Sequence, residues 1–241
     1  MSRELLRMRE YTFLITARGG SKGLKRKNIR LLNGLPLIVW TINAAKESFS
    51  HFEIYVSTED SEIAQISEKH GAIVIPLPKS LALDDSSSAD VVKHAINWLK
   101  KERKNITHFV LLQPTSPLRC SSHIRRAINL YEEKKPSMLV SAFQPKYSPC
   151  KAFIEQDDGL IVPIISQKLA ISPRQKLPKA FQANGAIYIF SRSDFLASNG
   201  FPFQTIIPFE MTERESLDID TLQDFELAEK ILGETIVKSR N

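Results

Sequence analysis

The chain has 241 residues, 42% hydrophobic and 25% charged, with 33 basic against 27 acidic side chains and a net charge of +6. That length builds one domain with a sizeable core, or a core plus a small subdomain. No run approaches the ~18 apolar residues of a helical membrane span. The N-terminal "MSRELLRMREYTFL" mixes charge with apolar residues where a signal peptide would have an h-region, so a cytoplasmic protein is expected.

In chain order, "YTFLITA" (11–17) is a short, apolar, β-rich run that reads as a buried strand. A loop with Gly19, Gly20 and Gly23 follows, and then "PLIVWTINAAKES" (36–48), a helix with Pro36 in its first turn. "FEIYVST" (52–58) is a strand, Asp60 or Ser61 caps the helix after it, and Gly71 ends that helix. The strands "AIVIPLP" (72–78), "THFVLLQ" (107–113) and "SMLVSAF" (137–143) alternate with helices over 86–104 and 121–135. Apolar strands alternating with helices predict an α/β fold, a mostly parallel sheet covered on both faces, with ligands at the C-terminal strand ends. The rhythm breaks at 144–182, a proline-rich excursion with a β-hairpin expected around "QDDG". It returns with "NGAIYIFSR" (184–192) and "ESLDIDTLQDFELAEKILG" (215–233).

The loop after the first strand carries six basic residues and no acid between Ile15 and Leu32. Glycines let backbone N–H groups curl around phosphate oxygens, and Arg or Lys neutralises them. The pattern is neither G-x-x-x-x-G-K-[ST] nor G-x-G-x-x-G. In "SLDIDT", extended backbone puts Asp218 and Asp220 on one face, where a shared Mg²⁺ would relieve their repulsion; Thr221, with Asp224 three residues on, is the better helix cap. "LLQPTSPLR" (111–119) places Gln113, Thr115, Ser116 and Arg119 along a rigid sheet edge, and Asn184-Gly185 reads as a turn. The five histidines show no metal spacing and read as surface or packing residues. Cys120 and Cys150 read as plain thiols in a reducing compartment. A nucleic-acid-binding domain would need aromatics among its basic residues, and 18–30 holds none. A glycosyltransferase with a D-x-D metal site is a rival that has less use for so basic a glycine loop.

The ordered set "ARGGSKGLKRKN", "VSTEDSEIA", "SLALDDSSS", "LLQPTSPLR", "SPRQKLPKAFQANGAIYI" and "LDIDTLQDFELAE" resembles the CMP-sialic acid synthetases, relatives of the CMP-Kdo synthetases, from Ile15 to about Glu229. The resemblance implies a Rossmann-like nucleotidyltransferase core, a single cytidylyltransferase domain over 1–241. It implies transfer of CMP from CTP to a nonulosonic acid with release of pyrophosphate. N-acetylneuraminate is the first acid expected, and legionaminate, pseudaminate or a Kdo-like acid the alternatives. It implies that Arg18, Gly19, Gly20, Ser21, Lys22, Lys27 and Asn28 hold the triphosphate and that Ser86, Ser87 and Ser88 sit by the base and ribose. Asp218 and Asp220 carry Mg²⁺, and with Arg18 and Lys27 form the catalytic set. Gln113, Thr115, Ser116, Asn184 and Tyr188 belong to the sugar side. Residues 144–182 become the dimerisation subdomain of a homodimer, sending Lys151 and Arg174 into the partner's site. Lys25, Arg26 and Arg30 are left as solvated charge. The chain departs from the family at Leu77, where an arginine is frequent, and at Ser172, where a glutamine is frequent.

Overall fold

The structure is a computed structural model that describes residues 11–20, 23–83 and 85–240, with side chains of the last helix described as far as residue 234. Ser21 and Lys22, two of the expected phosphate ligands, lie outside the described residues. The core strands are β1 (Tyr11–Thr16), β4 (Ile54–Thr58), β5 (Ile73–Pro76), β6 (His108–Leu112), β7 (Met138–Phe143), β10 (Gln182–Ser191) and β11 (Ile206–Glu210), joined in one seven-stranded sheet of order β11-β7-β10-β6-β1-β4-β5. Only β10 runs against its neighbours β6 and β7; every other pairing is parallel. The expected mostly parallel α/β sheet is therefore present.

Strand alternation sorts the core into two layers. From β1, Phe13 and Ile15 pack with Ile38 and Ile42 of α1 (Leu37–Ser48), Ile63 of α2 (Ser61–Lys69) and Ile124 of α4 (Ser121–Lys134). Leu14 faces the other way, toward Val92, Ile96 and Leu99 of α3 (Ser88–Lys101) and Phe195 of α6 (Arg192–Ala197). The expected caps form. Asp60 accepts from the amides of Glu62 and Ile63, each at 3.0 Å, and Gly71 closes α2 at φ +86°. A small ribbon, β2 (Leu31–Leu32) with β3 (Leu35–Pro36), turns through Asn33 and Gly34, both at positive φ. Asn-Gly is the usual sequence of so tight a turn.

Three features differ from the sequence reading. Residues 182–191 form one strand in which Asn184 and Gly185 make a bulge rather than a turn: the register with β7 shifts between Ala183 and Tyr188, and Gly185 sits at φ +73°. Asp218 and Asp220 lie on an extended segment outside any sheet, tied by the Ile219 amide to the Thr115 carbonyl at 2.9 Å. Strand β11 and helix α6 fill the stretch between the last two predicted elements.

The last helix, α7 (Leu222–Arg240), docks Phe225, Ala228 and Leu232 on a third cluster with Leu24, Leu32, Leu37 and Ile219. Ile219 is fully buried there, so its neighbours Asp218 and Asp220 turn to the opposite side. Ile219→Ala is expected to cost about 2–5 kcal/mol of stability, read in a urea melt, and to lower activity by loosening both carboxylates.

Between β7 and β10 the chain leaves the sheet. The hairpin β8 (Phe153–Glu155) with β9 (Ile161–Pro163) turns at Gly159, φ +79°, where the QDDG motif lies, followed by the single-turn α5 (Gln167–Ala170).

Candidate active site

The C-terminal ends of β1 and β6 meet the 217–220 segment around a pocket of about 320 Å³. Arg18, Lys27 and Asn28 come from the glycine loop, Gln113 and Thr115 from the end of β6, and Asp218 and Asp220 complete the wall. A second lobe of about 260 Å³ shares Thr16 and Arg18 with the first and is bounded by Leu77, Leu83, Ser86 and Ser88. Arg18 thus stands between the lobes, its guanidinium donating to the Leu83 carbonyl at 3.1 Å.

The loop owes its shape to the protein's own acids as well as to its glycines. The Gly19 amide donates to Glu59 at 2.8 Å, and a Cβ at Gly19 would lie 2.4 Å from the Asp60 carboxylate. Gly19 is therefore glycine because α2 and its acidic lead-in press against it, and its N–H is committed to Glu59 rather than to a ligand. Gly20 has open space where a Cβ would go. Arg26, at φ 58°, bonds both Asp60 and Glu62. It clips the loop to α2 and is not solvated charge. Burial pushes the Asp60 carboxyl up, but Arg26 and the two helix amides outweigh it, and its pKa ends below the ordinary value. Lys25 is exposed, and Arg30 lies over the Phe225 ring at 5.3 Å.

Lys27 is buried, and its ammonium donates to the Ile219 carbonyl and to Asp220 at 3.0 Å. One side chain thus fixes the acidic segment against the basic loop. The Asn28 amide nitrogen donates to the Arg18 carbonyl at 2.9 Å, while its buried Oδ1 has no partner. Thr221 and Asp224 cap α7 reciprocally: the Asp224 amide donates to Oγ1 at 3.2 Å, and the Thr221 amide donates to the Asp224 carboxylate at 2.8 Å. Neither Asp218 nor Asp220 is used as a cap, which leaves both carboxylates facing the pocket.

The surrounding protein raises the Asp218 pKa; the Asp220 charge raises it further, against the Thr115 hydroxyl and Lys27. Two carboxylates in one pocket wall are hard oxygen donors suited to Mg²⁺. No third His, Cys, Asp or Glu joins them among the described residues, which fits an ion that keeps waters and takes phosphate oxygens. The raised pKa has a sign. Between the ordinary aspartate value and the raised one, the folded state holds more protons than the unfolded state, so stability falls as pH rises through that window. Asp218→Asn should therefore melt above the parent, by a margin that grows across that window in metal-free buffer; a margin independent of pH would contradict it.

Several expected ligands have other work. Ser87 caps α3, accepting from the Asp90 amide at 3.1 Å, and does not line the second lobe. Ser116 is fully buried, and its hydroxyl donates to the Asn184 carbonyl at 3.3 Å. Asn184, also buried, holds the β10 bulge: its Oδ1 accepts from Ser141 at 2.6 Å and from the Ala186 amide at 3.1 Å, and its Nδ2 donates to Ser216 at 2.8 Å. Arg119 does not edge the site but is buried beneath it, bonding the carbonyls of Gln113 and Ala186 at 3.1 and 3.2 Å and Thr41 at 2.7 Å. Burial lowers its pKa to about 9. Tyr188 is half-buried, and its pKa is raised by burial and by the nearby Asp218 charge. Lys151 and Arg174 are exposed and line neither lobe. Leu77 is buried in the wall of the second lobe, so an apolar side chain stands there instead of an arginine. The reading from sequence missed Glu59, Asp60 and Glu62 as the loop's anchors; "STEDSE" held the signal, a run of acids at a helix start opposite a basic loop.

The sequence matches the family model described as Cytidylyltransferase over residues 12–239. It is 33% identical over 215 residues to an N-acylneuraminate cytidylyltransferase of Escherichia coli O18:K1:H7, covering 89% of this chain and 50% of that protein. It is 36% identical over 225 residues to the CMP-N,N'-diacetyllegionaminic acid synthase of Legionella pneumophila, covering 91% and 94%. The chain thus spans about half the length of the first relative and nearly all of the second. Among solved structures, CMP:2-keto-3-deoxy-manno-octonic acid synthetase complexed with CTP superposes with a TM-score of 0.70 at 16% identity, covering 94% of this chain and 99% of that one. At that identity the likeness is one of fold.

Proposed function

The chain belongs to the cytidylyltransferase family, and from that premise we propose that it transfers CMP from CTP to the anomeric hydroxyl of a nonulosonic acid, N-acetylneuraminate first. The observation that carries this reading is the pocket in which Asp218 and Asp220 face Arg18 and Lys27. Transfer at an α-phosphate needs positioning and charge stabilisation more than covalent help. The sugar oxygen attacks the α-phosphorus as its proton passes to solvent, the bond to the bridging oxygen breaks, and pyrophosphate leaves. Arg18 and Lys27 balance the negative charge of the triphosphate. Ser86 and Ser88, beyond Arg18, offer hydroxyls to base and ribose, with Leu77 and Leu83 as apolar walls. Asp218 and Asp220 would hold Mg²⁺, which when bound polarises phosphate oxygens and lowers the pKa of a bound hydroxyl. Gln113 and Thr115 line the same pocket beside the carboxylates and are given to the acceptor sugar.

The legionaminate reading is favoured as a second one by the Legionella relative, which this chain matches over nearly its whole length. The deciding experiment incubates the protein with CTP, Mg²⁺ and N-acetylneuraminate, legionaminate, pseudaminate or Kdo, and measures pyrophosphate. Release with one acid names the substrate, and release with none overturns the function.

The excursion at 144–182 supports a homodimer. Ile171, Tyr147, Leu160 and Ile161 are 84, 80, 64 and 63% exposed, more apolar surface than a lone hairpin keeps in water. With Lys151 and Arg174 reaching across, each site is composite. Mixing Asp220→Asn with Arg174→Ala subunits, each inactive alone, should then restore about one quarter of parent activity, because half the dimers carry one intact site under two-fold symmetry. No recovery after subunit exchange would show that the sites are not shared.

A further inference from the structure

A second cavity, of about 700 Å³, lies away from the two lobes, between α1, the start of α4, the 212–215 loop and α7. Cys120, His123 and Glu215 all line it. The Cys120 sulfur is 3.4 Å from His123 Nδ1, and His123 Nε2 is 3.2 Å from Glu215 Oε1. Glu215 is itself held in place, its Oε2 accepting from the Thr212 amide at 2.9 Å and hydroxyl at 2.8 Å. Thiol, imidazole and carboxylate thus stand in line, the order in which a base oriented by an acid activates a nucleophile. Cys120 is exposed, whereas Cys150 is buried. Cys120 also occupies the N-cap position of α4, where the helix dipole favours a negative charge. Arg119, whose guanidinium feels the charge of Cys120, lines the same cavity and keeps a buried Nε–H without a partner. None of these groups lines either lobe of the candidate active site.

We propose that Cys120 is a nucleophilic thiolate site, with His123 as its proton acceptor and Glu215 as the orienting group, and that it reacts with small hydroperoxides. In the resting thiol, His123 Nδ1 is unprotonated and accepts from the Cys120 amide at 3.3 Å as well as from the thiol, while Nε2–H donates to Glu215; transfer of the thiol proton to Nδ1 gives up the amide hydrogen bond and leaves a thiolate–imidazolium pair. The sulfur then attacks one peroxide oxygen. An S–O bond forms, the O–O bond breaks, the sulfur is oxidised by two electrons and the peroxide is reduced. The departing hydroxide takes the proton from His123 Nδ1 and leaves as water, with Cys120 as the sulfenic acid. The cavity admits a molecule far larger than hydrogen peroxide, so alkyl hydroperoxides fit as well.

The hydrogen bond from His123 lowers the Cys120 pKa to about 6 against the cost of burial, with Ser122 and the His123 amide adding to it. The His123 pKa is raised by Cys120 and by Glu215. The other charged groups lining the cavity are Glu47, Arg126 and Arg214.

The test treats the full-length protein with hydrogen peroxide and dimedone and follows adducts by intact mass and peptide mapping. Expected is one adduct, on Cys120 and not Cys150. Its rate should inflect near pH 6 and exceed that of glutathione at pH 6.5 by about 10-fold or more. In His123→Gln the inflection should move up toward the ordinary thiol range. Glu215→Gln should move it in the same direction by less, and this variant decides the matter where His123→Gln fails to fold. No Cys120 adduct, or an inflection at the ordinary thiol value in the parent protein, overturns the proposal.

Discussion

Asp220→Asn is expected to lower kcat by about 10²–10³, the usual loss when one element of transition-state charge stabilisation is removed. The Asp220 side chain is 76% exposed, and within the protein its carboxylate is bonded by Lys27. An asparagine there still offers an oxygen to Lys27, and the burial of Ile219 that fixes the segment is untouched. The melting temperature should therefore stay within a degree or two of the parent, which separates a chemical loss from a structural one. Asp218→Asn should lose activity as well but gain thermal stability, because it removes a carboxylate whose ionisation the fold resists. A stability gain in one variant and none in its neighbour, with a shared loss of turnover, would be hard to obtain from any role other than joint charge binding. Parent-like turnover in Asp220→Asn would remove the metal assignment.

How far the sequence carried the site depends on which kind of signal each part emits. The short apolar runs "YTFLIT" and "IYVST" and the helical pattern of "VVKHAINWL" settle the layers, because a strand apolar on both faces and a helix apolar on one side must be covered whatever the rest of the chain does. The juxtaposition of Lys27 with Asp220, 193 residues apart, leaves no local trace, and it follows only once α7 is docked on Leu24, Leu32 and Leu37. Residue type misled where a polar side chain serves the backbone. Asn184 and Ser116 look like sugar ligands in a linear motif, yet a bulge in a buried antiparallel strand strands backbone groups that those side chains must satisfy. Ser87 reads as a hydroxyl for the nucleotide but meets a stronger local demand, the first amides of α3. Arg26 shows the reverse error: a charge expected to be idle is the clip that sets the loop.

Gly23→Ala is expected to lower kcat/KM about 10²-fold through geometry alone, the cost of displacing catalytic groups by about 1 Å. The obstacle is contact: a Cβ at Gly23 would sit 2.2 Å from the Asp220 carbonyl oxygen. Neither side yields easily. The acidic segment is held by Ile219 in its apolar cluster and by the Ile219 amide on Thr115, and the loop is held by Lys27 and by Arg26 on α2. Overpacking of this kind costs about 1–3 kcal/mol, so the melting temperature should drop together with activity. Gly20→Ala provides the contrast, since its Cβ enters open space and the apo protein should be as stable as the parent. If Gly20 faces the triphosphate, its alanine variant raises KM for CTP while the melting temperature stays fixed. Parent-like KM in Gly20→Ala, together with a loss in Gly23→Ala, would mean that the loop's glycines serve the protein's own packing at 19 and 23, with phosphate binding left to Arg18, Lys27 and the remaining amides.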